Sequence, residues 1–111
     1  MDDIVYASLR DAKWVDPGTP GPHYAPLRRH ADGAGATIFL RFSAGTIGAN
    51  HIHPAGEELF VVSGDITIGG RRLGAGDYLY SPPGAAHEAI AHADTILLLS
   101  LPKLPVFPEQ T

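Results

Sequence analysis

An all-β fold, a sandwich or a small barrel, is what this sequence predicts. Three observations predict it. Glycine and proline are abundant, 13 and 10 in a chain of 111 residues, so helix interiors would be broken repeatedly. The apolar residues fall in short runs rich in β-branched and aromatic side chains, the composition of strands. Turn-forming residues separate those runs at close, fairly even spacing, as in antiparallel sheets.

The elements follow in chain order. Residues 4–14 carry Ile4, Val5, Tyr6 and Leu9, a pattern that fits a strand or a short helix. Asp16 to Pro26 holds four prolines and two glycines and reads as an ordered loop or extended connector. Thr37–Phe42 is a strand bounded by Gly35 and Gly45, and Leu59–Val62 is another that runs into the turn Ser63-Gly64-Asp65. Ile66–Ile68 and Arg71–Leu73 flank Gly69-Gly70, a two-residue hairpin signal. Tyr78–Tyr80 leads into Ser81-Pro82-Pro83-Gly84, and Thr95–Leu99 is a last strand. One segment conflicts with its setting. Ala85–Ala93 favours a helix by alanine propensity alone, whereas the surrounding strand pattern argues against one.

The chain is expected to form a single domain, residues 1–111, with an N-terminal extension and strand over 1–36 and an extended tail over 102–111. Leu104, Val106 and Phe107 in that tail require a surface to pack on. A hydrophobic share of 44% against 18% charged residues supports a real core rather than disorder. Net charge is −4, so nucleic acid and acidic lipid are not expected partners. The longest apolar run, Ile96–Leu99, is far shorter than the roughly 20 residues that span a bilayer. The first residues are acidic where a secretory signal is basic, and with no cysteine there is no disulfide or thiolate ligand. A cytoplasmic location is the expectation.

Chemistry concentrates in the histidines. His51 and His53 stand two apart on an expected strand, so their imidazoles share one face. Glu57 follows after the turn Pro54-Ala55-Gly56, and His87 lies just past Pro82-Pro83-Gly84. A strand-borne pair, a carboxylate and a returning third imidazole can converge on one metal ion. A His-x-His pair alone is more often solvated; the linkage to an acid and a third histidine favours metal.

Two spaced motifs carry a resemblance. Gly45-x5-His51-x-His53-x3-Glu57-x6-Gly64 resembles the first signature of the cupin superfamily, and Gly76-x5-Pro82-x-Gly84-x2-His87 resembles the second. Both lie within residues 45–87. The resemblance implies a small antiparallel jelly-roll barrel with one divalent metal ion (Fe, Mn, Ni, Cu or Zn) held by His51, His53, Glu57 and His87. Glu58 is the alternative acid, and the spacing to Gly64 favours Glu57. Trp14, Pro20-Gly21, Leu27, Leu40-Arg41-Phe42 and His51–Glu58 make the chain most similar to the ChrR-like cupins. Thirteen residues precede Trp14, so the separate sigma-binding domain of the anti-sigma members is expected to be missing. The resemblance implies either a non-haem metal-dependent dioxygenase or related oxidoreductase acting on a small oxygenated molecule, or a zinc-binding sensor without turnover.

Three residues are candidate pocket walls. Arg41 is the one charge inside an apolar strand and could face the barrel to hold an anion. Tyr78 and Tyr80 share one strand face, with core packing as the alternative. His23, His30 and His92 are expected at the surface or in hydrogen bonds. A homodimer is expected, with Ile4-Val5-Tyr6 or Leu104–Phe107 adding to a partner's sheet.

Overall fold

A computed structural model of the chain describes residues 4–18 and 20–103, apart from the side chain of Ala49. The tail residues Leu104, Val106 and Phe107 lie outside the described residues. In chain order the strands are β1 (His23–Arg29), β2 (Ala36–Phe42), β3 (Ile47–Ile52), β4 (Glu57–Ser63), β5 (Asp65–Ile68), β6 (Arg71–Gly74), β7 (Tyr78–Ser81), β8 (Ala86–Ala91) and β9 (Thr95–Leu101).

These strands build two antiparallel sheets, one ordered β1-β2-β9-β4-β7 and the other β3-β8-β5-β6. The chain passes from one sheet to the other at nearly every connection. Among the described strands only β1–β2 and β5–β6 are sequential neighbours in a sheet. At the β5–β6 turn Gly69 and Gly70 both have positive φ, 57° and 81°, the backbone a type I′ hairpin demands. The two-sheet, all-β jelly-roll arrangement is the one the sequence predicts.

Alternation fixes the core. Every second residue of β9 is buried, and Leu97, Leu99 and Leu101 pack with Leu59, Val61 and Phe42 of the same sheet. Ile66, Ile68, Leu73, Ala89 and Ala91 face them from the other sheet. Each fully buried Leu, Ile or Val contributes about 1.5–3 kcal/mol, so the barrel is held by this sandwiched layer.

The conflict at Ala85–Ala93 resolves in favour of the surrounding strand pattern: β8 pairs with both β3 and β5, and two ladders outweigh a propensity worth a few tenths of a kcal/mol per residue. Other expectations are corrected. Residues 4–14 hold only a 3₁₀ turn, Leu9–Asp11, capped by the Ser8 side chain. The proline-rich segment does not remain a loop to its end, because β1 starts at His23 and includes Pro26. That proline is tolerated because β1 pairs with β2 alone among the strands and its register shifts between Pro26 and Arg28.

Candidate metal centre

His51 and His87 are register partners across β3 and β8, so both rings stand on one face of the sheet. That face is the inner one. Ala89, two residues beyond His87, belongs to the core. On β3 the count is less direct. Gly48 pairs with Ala89 and faces inward, since a Cβ there would lie 3.3 Å from the Phe42 ring. His51 lies three positions beyond Gly48, where His87 lies two positions from Ala89. The register shift between them absorbs the extra residue and turns His51 inward.

The other two groups sit on the crossing from β3 to β4. The Gly84 N–H donates to the His53 carbonyl at 2.9 Å, as does the Gly56 N–H at 3.1 Å, and the His53 N–H donates to the Ala85 carbonyl at 3.2 Å. The β3–β4 and β7–β8 turns are thereby locked together at one end of the barrel. Gly56 has φ +80°, and a Cβ on it would come 2.7 Å from the Ser81 carbonyl oxygen; only glycine lets the turns approach so closely. Glu57 opens β4 with its side chain inward, while Glu58 points outward and accepts a hydrogen bond from the Tyr78 hydroxyl at 2.8 Å.

The four side chains meet. Ring centroids are 4.4 Å apart for His51–His53, 5.3 Å for His51–His87 and 5.1 Å for His53–His87. One nitrogen from each ring lies within 4.8 Å of the other two, so three histidines can hold a metal ion. Glu57 adds Oε2 at 3.2 Å from His53 Nε2 and Oε1 at 3.1 Å from His87 Nε2. His53 and Glu57 are only 1% and 2% exposed.

The polar bookkeeping tests whether these residues suit a metal. His53 Nε2 and Glu57 Oε2 are close but misaligned, and neither makes a hydrogen bond; the Nδ1 atoms of His53 and His87 are buried without one too. An unsatisfied buried polar atom costs about 1–3 kcal/mol, and a cation between an imidazole nitrogen and a carboxylate oxygen would satisfy both. Burial pushes His53 down from 6.5 to about 4; the Glu57 carboxylate opposes this, and the neighbouring imidazoles of His51 and His87 reinforce it. His53 is therefore neutral near pH 7, the form that ligates metal. The residue types and their burial fit a divalent ion.

The remaining candidates lie elsewhere. His23 is 3.5 Å from Asp16, His30 Nε2 is 3.0 Å from the Thr37 hydroxyl, and His92 Nε2 is 2.7 Å from that of Thr67. Arg41 does not face the barrel. It alternates with the buried Phe42, and its guanidinium stacks 4.4 Å over the Trp14 ring on the outer surface. Tyr78 is exposed outside the five-stranded sheet, where it lines a shallow cavity of about 200 Å3 with Glu58, Phe60 and Leu98 that does not include the histidines. Tyr80 is exposed as well, yet it lines a cavity of about 240 Å3 that reaches His87. Arg71 lines the same cavity. The sequence reading passed over it, although the doublet Arg71-Arg72 after a glycine hairpin must send one guanidinium to each face.

A two-sheet barrel with three histidines and a glutamate gathered at one end defines a cupin. The ChrR cupin-like domain matches residues 2–104, and the chain belongs to that family. Solved structures agree on the fold. A cupin-like protein of unknown function from Ralstonia eutropha superposes with a TM-score of 0.81 at 19% identity, covering 95% of this chain and 76% of that one. The acetylacetone dioxygenase of Acinetobacter johnsonii gives 0.75 at 18%, covering 91% and 74%. The Rhodobacter sphaeroides SigE complex with the anti-sigma ChrR gives 0.74 at 26%, covering 85% of this chain and 50% of that one. No curated protein matches the chain. Among the described residues no helix is long and apolar enough to cross a membrane.

Proposed function

We propose that His51, His53, Glu57 and His87 hold one divalent ion, and that the chain oxidises a small oxygenated organic molecule as a metal-dependent dioxygenase or related oxidoreductase. The observation that carries this reading is the buried pair His53 Nε2 and Glu57 Oε2, 3.2 Å apart and joined by no hydrogen bond, beside His51 and His87. A bound ion supplies Lewis acidity toward a substrate oxygen and, where redox-active, electrons for dioxygen chemistry. The chain's own part is to keep the His53 imidazole neutral, to supply a carboxylate ligand from Glu57, and to exclude water. Ile68 and Ala89, both buried on the inner face beside His87, keep the inward side of the centre dry. The shared fold with an acetylacetone dioxygenase supports the reaction class.

Membership of the ChrR cupin-like family and the 26% identity to the SigE–ChrR structure favour a second reading, a zinc-binding sensor without turnover. Metal analysis of protein purified without a histidine tag, with oxygen uptake on small ketones, decides between them. Iron or manganese together with uptake supports the oxidoreductase. Stoichiometric zinc without uptake supports the sensor.

The same reading includes a homodimer. Ile4 and Tyr6 are 85% and 77% exposed, and Phe60 and Tyr78 present a further apolar surface outside the five-stranded sheet, an amount of exposed apolar area that a second copy would cover. Sedimentation that gives a monomer mass at micromolar concentration would exclude it.

A further inference from the structure

We propose that Arg71 selects small organic anions for the metal centre, so that the molecule acted on carries a carboxylate at the end remote from the reacting carbon. The inference rests on the metal reading above and adds to it a class of substrate. Its basis is the register of the four-stranded sheet. Arg71 pairs with Ile68 and Arg72 with Thr67. Ile68 belongs to the core, so Arg71 leaves β6 on the inner face and Arg72 on the outer. Arg72 is committed there, its guanidinium donating to both carboxylate oxygens of Asp65 at 2.9 and 2.7 Å. Ile68 also pairs with Ala89. Arg71, Ile68 and Ala89 therefore form one cross-strand row, and His87 stands in the next row on the same face.

β6 and β7 are the end strands of their sheets. The cavity of about 240 Å3 draws its walls from both, with Arg71 on one side, Leu79, Tyr80 and Ser81 on the other, and His87 at its inner limit. The His87 side chain keeps 10% exposure, so a ligand in the cavity can touch it. No acidic residue lines this space. Among the described residues no carboxylate lies within ion-pair range of Arg71. This guanidinium is thus an unneutralised cation beside the centre of a chain whose net charge is −4.

Size and charge together define the ligand. The volume falls below the roughly 300–1,000 Å3 of sites for drug-sized molecules, so the occupant is small. A guanidinium forks onto a carboxylate through two parallel N–H donors, a match no neutral group offers. Leu79 gives the carbon skeleton an apolar wall. A keto or hydroxy acid of a few carbons would place its carboxylate on Arg71 and its oxygenated carbon toward His87.

The test compares propionate with its neutral isostere propionamide, by amide and imidazole shifts in NMR titrations of the zinc-loaded protein. In the wild type, propionate is expected to bind at least tenfold more tightly, with shifts at Ile68, Gly69 and His87. Arg71→Gln is expected to weaken propionate by about fivefold or more and to leave propionamide unchanged. Arg72→Gln, on the outer face, should change neither. Equal propionate affinity in the wild type and Arg71→Gln, or an equal loss in Arg72→Gln, overturns the proposal. Zinc content measured on each sample separates the two readings. A protein that takes up no zinc overturns the metal centre, and the metal-free titration then judges Arg71 by the same wild-type to Arg71→Gln ratio.

Discussion

Replacing Glu57 by glutamine removes the one anionic group of the proposed ligand set while keeping its shape. Structural zinc sites with four ligands bind with about 10–16 kcal/mol near pH 7, or about 2.5–4 kcal/mol for each ligand. Glu57 is 2% exposed, so little solvent screens the charge it offers. Its loss should therefore weaken zinc binding by about 10²–10³-fold. The fold should not suffer with it. A carboxamide retains a partner for His87 Nε2, now 3.1 Å from Oε1, and the substitution takes a charge out of the interior, so metal-free stability should change by no more than about 1 kcal/mol. Competition against a chromophoric chelator gives the affinity, and a thermal melt of the metal-free protein gives the stability. Glu58→Gln is the control: its carboxylate faces solvent and holds only the Tyr78 hydroxyl, and zinc affinity should stay within about twofold. Wild-type affinity in Glu57→Gln, or a loss as large in Glu58→Gln, would refute the assignment of Glu57 as the ligand.

Three further outcomes are expected. Because burial holds His53 at about 4 in the fold against 6.5 unfolded, the metal-free protein should be at full stability above pH 6.5. It should lose about 3 kcal/mol as pH falls to about 4, since the unfolded chain takes up that proton first; urea titrations at stepped pH measure the slope. Chelation should lower the Tm of metal-loaded protein at about pH 7.5 and do so much less at about pH 5.5, where protons compete for the imidazoles; an equal drop at both pH values would contradict imidazole ligation. Gly64→Ala should cost about 2–4 kcal/mol, because Gly64 has φ +110° and a Cβ would collide with Thr95 Oγ1 and the Asp94 carbonyl; a melt within a degree of wild type would mean that the turn relaxes freely.

Most of the strands and the group of four were legible in the sequence for a local reason; β1, whose first residues lie in the proline-rich segment, was not. Turn chemistry is written in neighbouring residues: Gly69-Gly70 between two strand-like runs favours a hairpin, and the proline and glycine of Pro54–Gly56 and Pro82–Gly84 favour an end to their strands. The spacing of His51, His53, Glu57 and His87 is tied to those turns, so it could be read without a fold. Tyr78, Arg41 and Ala85–Ala93 could not be placed the same way. β2 is apolar on both faces, with Ile38 and Leu40 against the core and Phe39 beside Trp14, and alternation alone does not say which face is inside. The alanines of β8 became strand only because β3 and β5 flank them.

By itself, then, the sequence determined the all-β class and the turns, because each depends on a few adjacent side chains, and its motif spacing named the four side chains that the fold gathers at one end. Tertiary structure decided direction. A shift in register turns His51 inward, pairing with Ile68 puts Arg71 on the inner face, and Arg41 stacks over Trp14 on the outside. Side chains alternate with a period of two, so a single inserted residue or a choice of partner strand reverses which face a group occupies. That choice is made by residues distant in the chain.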